Sequence, residues 1–180
     1  KLQVYPANGA GGFDTSTLSD LKLVTAQSTA TATSLVTMAS NLPASATVPV
    51  GAFNTTDSTT YNNATPMTVY DSQGGSHQGT VYYVKTNTNT WDAHLYVDGA
   101  DAGTQQLTFD TTGKLATPAN GDLAFTPVDL GNGSSALALH INVTNTTQFG
   151  TDYSAGSITQ NGYEAGTLSN IDIDSKGVVT

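Results

Sequence analysis

Between Met67 and Gly99 short apolar and aromatic runs alternate with tight polar turns, a rhythm that commits the chain to antiparallel β-structure. Met67–Tyr70 reads as a strand and Asp71–Gly75 as a turn. Thr80–Lys85 reads as the return strand, Thr86–Thr90 as a second turn, and Trp91–Val97 as a third strand closed by Asp98 and Gly99. Helices are disfavoured for a compositional reason. The sequence contains no Arg and a single Glu (Glu164), so the usual surface residues of helices are missing, while Thr, Ser, Asn and Gly abound. An all-β fold follows.

The rest of the chain extends the pattern. Lys1–Pro6 reads as the end of a strand, broken by the Gly-rich stretch after Asn8. Leu18, Leu21 and Leu23 are compatible with helix or strand, and residues 25–40 favour strand over helix through their Thr content. Gln106–Asp110 and Lys114–Thr117 make a hairpin, and Asp122–Val128, Ala136–Thr144, Ser157–Thr159 and Leu168–Asp174 supply further strands. Three strand ends place an Asp three residues before a Gly: Asp71 and Gly74, Asp110 and Gly113, Asp174 and Gly177. In such a turn the carboxylate accepts the N–H two residues on, and the Gly supplies positive φ before a bulge. Their irregular spacing argues for repeated turn chemistry, not a solenoid. Pro43, Pro49 and small residues between Asn41 and Gly51 suggest a domain boundary.

Charge and cysteine usage exclude several functions. A net charge of −9, with five scattered Lys, cannot build a phosphate-binding surface, so neither nucleic acid nor an anionic membrane is an expected partner. No run of about 18 apolar residues exists to span a bilayer. No basic segment followed by an apolar one opens the chain, so no signal peptide is visible. Zero Cys removes disulfides, thiolate zinc sites and thiol nucleophiles together.

Motifs that could carry chemistry are weak. Asp172, Asp174 and Gly177 spell the first half of a calcium loop, but Lys176 stands where an oxygen ligand belongs. His77, in a turn region, and His94 and His140, in strands, lack the spacing and carboxylate company of a metal or catalytic site. Asp92 and Asp98 bracket a strand beside Trp91, and Trp91 with Tyr70, Tyr82, Tyr83 and Tyr96 raises a sugar-stacking face as a rival reading, although strand alternation sends some of these rings to the core. Walker, dinucleotide and nucleophile-elbow motifs are absent. No enzyme, cofactor or metal is expected.

Three stretches in order resemble the bacterial flagellar hook protein family. They are residues 1–7 (KLQVYPA), residues 68–77 (TVYDSQGGSH) with Val81–Lys85 and Trp91, and residues 159–179. The last contains Gln160, Asn161, Gly162, Tyr163, Gly166 and Leu168, similar to the family's Q-N-G-Y-x-x-G-x-L pattern, followed by IDIDSKGVV. The resemblance implies two barrel- or sandwich-like β domains. Residues 1–50 with 155–180 would form a discontinuous inner domain, and 51–154 an outer domain inserted into it. It also implies that helical segments flanking this chain in such proteins are missing, so the chain alone should be monomeric. Its implied role is extracellular and mechanical, in a bending tube that transmits torque from motor to filament. Implied partners are other hook-protein copies, and hook-cap and hook–filament junction proteins for the full-length form. The alternative is an adhesin-like or carbohydrate-binding β module using the Trp91 and Tyr96 surface.

Overall fold

The computed structural model describes residues 3–6, 8, 11–20 and 28–166, and all their regular elements are strands. Contacts divide the chain into two compact units. One comprises Lys1–Ser28 and Thr167–Thr180, the other Thr29–Gly166. The limits expected from sequence, 50/51 and 154/155, both fall inside the second unit. In the first unit β1 (Gln3–Val4) pairs antiparallel with β2 (Ser19–Asp20). Leu21 and Leu23, and the strand and turn expected over 168–179, lie outside the described residues.

The second unit holds two sheets. The meander is one of them: β4 (Asn63–Tyr70), β5 (Ser76–Asn87), β6 (Thr90–Val97), β7 (Ala100–Phe109) and β8 (Leu115–Thr117), each pairing antiparallel with the next. Its strands outrun the apolar cores seen in the sequence, because polar residues such as Gln78 and Thr104 continue the backbone ladders. The turn of Thr86–Thr90 shrinks accordingly, and His77 lies within β5, not in a turn. The second sheet has the order β11-β3-β10-β9, from β3 (Leu35–Asn41), β9 (Asp122–Ala124), β10 (His140–Asn142) and β11 (Ser154–Gln160). Here β10 runs parallel to β3, while β9 and β11 are antiparallel to their neighbours.

Of the strand expected over 25–40, residues 25–27 lie outside the described residues; within the rest the strand starts at Leu35, after small Ala and Thr side chains with little apolar surface to bury. Likewise only the first three residues of Asp122–Val128 and the middle of Ala136–Thr144 join the sheet, with Val128 and Leu137 forming an isolated bridge.

Period-two alternation builds one core between the sheets. Val81 and Tyr83 on β5 and Trp91, Ala93, Leu95 and Val97 on β6 meet Val36 and Met38 of β3 and Ile141 of β10. Each large side chain buried there contributes about 1.5–3 kcal/mol. The Trp91 indole N–H donates to Gln148 Oε1 at 2.7 Å, and the Tyr83 hydroxyl approaches Met38 Sδ at 3.6 Å. The margins of the two sheets are joined as well. Thr33 and Tyr70 exchange two bonds of 2.8 Å, and the Thr126 N–H reaches the Ala102 carbonyl at 2.9 Å. Those links give the sandwich a barrel-like closure.

Candidate functional site

Chemistry-bearing side chains gather at one end of the meander. The β4–β5 turn is closed by a bond from the Gly74 N–H to the Asp71 carbonyl, with Gly74 at φ 87°. Asp71 Oδ1 accepts the N–H groups of Gln73 and Gly75, both at 2.8 Å. Its Oδ2 accepts Asn132 Nδ2 at 2.7 Å and lies 3.2 Å from His77 Nε2. The other ring nitrogen of His77 is 2.6 Å from Asp98 Oδ2, and Asp98 Oδ1 accepts the Gln78 N–H at 2.9 Å. Asp71 is 1% exposed. Burial opposes its ionisation, yet the bonds from His77, Asn132, Gly75 and Gln73 outweigh that cost and hold the carboxyl far below its usual range. Asp98 is also held low, chiefly by His77. An open groove lined by Pro66, Met67, Thr68, Ser76 and Gln78 runs past His77 and Asp98.

A second Asp-x-x-Gly turn repeats the local geometry in water. Asp110 Oδ1 accepts the N–H of Thr112 at 2.7 Å and of Lys114 at 3.0 Å, and Gly113 takes φ 79°. Asp110 is exposed, while Gly113 is pressed against the Gln148 carbonyl and the Phe149 ring. The third pair, Asp174 and Gly177, lies outside the described residues.

The Gln160–Tyr163 motif stitches the end of β11 to residues 31–35. Gln160 Oε1 accepts the Thr33 hydroxyl at 3.2 Å and also the Gly162 N–H. Asn161 Oδ1 accepts the N–H groups of Ser34 and Leu35, both at 3.0 Å, and its Nδ2 donates to Ser34 Oγ. Gly162 packs against Thr33 so closely that no Cβ fits. Tyr163 and Thr31 exchange backbone bonds of 2.9 and 3.0 Å while the Tyr163 ring stays half exposed. Gly166 is exposed. Leu168 lies outside the described residues.

The aromatic side chains correct one expectation. Trp91 is 0% exposed on the core face of β6, whereas Tyr96, an odd number of residues away, points to the opposite face. No surface shared by Trp91 and Tyr96 exists, so the carbohydrate platform built on them is excluded. Tyr96 instead joins Phe53, Tyr61, Tyr82 and His94 in a half-buried aromatic cluster, with Phe53 stacked on His94 at 4.0 Å. Partial burial lowers the His94 pKa. His140 is exposed, with Nδ1 2.9 Å from Asp122 Oδ2. Among the described residues no group of three or more His, Cys, Asp or Glu side chains is arranged to hold a metal ion.

Lys85 is a structural cation that motif reading missed. Its Nζ donates to the Ala44 and Ala46 carbonyls at 2.7 and 2.8 Å and sits 5.6 Å from the Trp91 ring centre. Burial lowers its pKa. The signal was available: Lys85 shares strand parity with buried Val81 and Tyr83.

Comparisons with known proteins bear on what these stitches serve. Residues 41–163 match the family model described as the flagellar basal body protein FlaE D2 domain. Flagellar hook protein FlgE of Salmonella typhimurium is 32% identical over 162 residues, covering 87% of this chain and 39% of that protein. Flagellar hook protein FlgE of Escherichia coli K12 is 30% identical over 193 residues, covering 99% of this chain and 46% of that protein. The chain thus spans less than half the length of these curated relatives. A solved 32 kDa fragment of FlgE from Caulobacter crescentus aligns with a TM-score of 0.41 and 16% identity, over 56% of this chain and 46% of that one.

Proposed function

The chain belongs to the flagellar hook protein family through its FlaE D2 domain, and on that premise we propose that it serves as a structural segment of the hook. In this reading copies of the whole protein assemble into the curved extracellular tube that carries torque from motor to filament. The observation that carries it is the family match over 41–163, which lies within the compact unit Thr29–Gly166. The role is structural and not catalytic. In support, the polar clusters spend their hydrogen-bonding capacity on holding backbone: Asp71, Asn161 and Lys85 each tie two or more chain segments together.

The same reading makes the middle of the chain an outer domain inserted into an inner one. Its support is that the smaller unit draws on both ends of the chain. Because β3 and β11 share a sheet with β10, the proposed limits move outward to 28/29 and 166/167. Partners are other copies of the hook protein, with cap and junction proteins meeting the full-length form. Contacts between outer domains are small and polar, below the ~1,000 Å² of a committed interface, so neighbours exchange partners as the tube bends. The isolated 180-residue chain is monomeric, which sedimentation at micromolar concentration checks; a stable oligomer would refute it.

The absence of Cys provides the test of location. Ser58 is exposed, and Ser58→Cys introduces a single thiol into this chain. An impermeant thiol-reactive dye applied to intact cells should mark short structures at the bases of the filaments. Labelling spread over the cell envelope, with none at the flagellar bases, would refute the assignment.

A further inference from the structure

Asp71, His77, Asp98 and Asn132 come from separate stretches of chain: the β4–β5 turn, β5, the β6–β7 turn and the connection between β9 and β10. Of these groups only the imidazole changes charge near neutral pH. Both of its nitrogens face carboxylate oxygens, Nδ1 at 2.6 Å from Asp98 and Nε2 at 3.2 Å from Asp71. A doubly protonated ring donates to both at once, whereas a neutral ring has one N–H and must turn a lone pair toward one carboxylate. The Asp98 bond is the shorter, so the neutral ring keeps Nδ1–H and presents the Nε2 lone pair to Asp71. The same Asp71 oxygen accepts Asn132 Nδ2 at 2.7 Å. One bond further along, the Ser135 N–H donates to Ser72 Oγ at 3.0 Å. The protonation state of His77 is therefore felt directly where the 132–135 segment is attached.

We propose that the Asp71–His77–Asp98 cluster is a proton-operated latch. With His77 charged it fastens the 132–135 segment and the β6–β7 turn onto the β4–β5 turn; with His77 neutral both attachments slacken. The charged groups facing His77 are Asp98 and Asp71, and its partner across β4 is the apolar Val69. Bonding to Asp98, opposed by partial burial and reinforced by Asp71, raises the His77 pKa above its ordinary 6.5. A raised folded-state pKa means the latch contributes fully below about 6.5 and is lost as pH rises through the raised value. Asp71 and Asp98 are shifted the other way, so the carboxylate side of the latch fails only in acid, below the ordinary 3.8.

A pH titration of the isotope-labelled 180-residue chain by NMR tests this. The His77 ring nitrogens should titrate with a midpoint above 6.5, and the Asn132 side-chain amide and Ser135 N–H signals should shift with the same midpoint. In Asp98→Asn the His77 midpoint should fall and the coupled shifts should move with it. In His77→Gln the Asn132 and Ser135 shifts over that interval should vanish. A His77 midpoint at or below 6.5 would overturn the latch. So would Asn132 and Ser135 signals that ignore His77, or that keep their titration in His77→Gln.

Discussion

The turns at Asp71–Gly75 and Asp110–Lys114 share the Asp-x-x-Gly pattern and a local geometry, yet their Asp side chains occupy opposite environments. In both, an Asp side chain accepts the N–H groups two and four residues on, and a Gly at positive φ closes the turn. Asp110 ends there, in solvent. Asp71 is buried, and its second oxygen collects His77 and Asn132 from elsewhere in the chain. The same Asp side-chain chemistry thus serves once as a purely local hairpin device and once as a tertiary junction. Local sequence specifies the turn; the surrounding strands decide what it is worth.

The largest test of that contrast is Asp71→Ala. Removing one partner from a buried, charge-assisted network costs about 3–5 kcal/mol, because His77, Asn132 and two backbone N–H groups lose their acceptor. Urea unfolding should show the midpoint falling with the slope unchanged. Next comes Gly113→Ala, set against Gly99→Ala. Left-handed backbone alone costs a non-Gly residue about 1–2 kcal/mol, which is all Gly99 at φ 84° should show, since open space surrounds it. Gly113→Ala should lose more than Gly99→Ala, because a Cβ would also meet the Gln148 carbonyl and the Phe149 ring.

Acid unfolding sharpens the comparison further. The Asp71 pKa is depressed, so its stabilisation is present above the ordinary 3.8 and lost as pH falls through its lower folded-state value. Stability measured from pH ~5 downward should decline less in Asp71→Asn than in the parent chain. Asp110→Asn should reproduce the parent's decline closely, since solvent screens the exposed carboxylate. The smallest effect is Asp110→Ala, a slight fall in melting temperature. A fall equal to that of Asp71→Ala would dissolve the distinction between the two turns.

Much of this architecture was legible because period-two alternation and turn residues are local signals. The meander shows its strands through Val81, Tyr83, Leu95 and Val97, and its first turn through Asp71 and Gly74. The junction at Asp71 was not legible. Asp98 and Asn132 lie 27 and 61 residues beyond Asp71, and nothing in their local sequence marks them as partners. Strand parity is decisive in two places. Strand alternation puts Trp91 and Tyr96 on opposite faces and puts Lys85 on the core side with Tyr83. The strands near residues 35, 123 and 141 were misjudged in length because pairing partners, not propensity, set where they stop.

The outer placement proposed for the Thr29–Gly166 unit, with small polar contacts to its neighbours, is a property of assembled hooks. Cryo-electron microscopy of hooks isolated from the source bacterium tests it most directly. The expected result is a two-sheet sandwich repeated along the outside of the tube, with less than about 1,000 Å² buried between adjacent copies. Hooks whose outer units pack through large apolar interfaces, or whose subunits lack this sandwich, would contradict it.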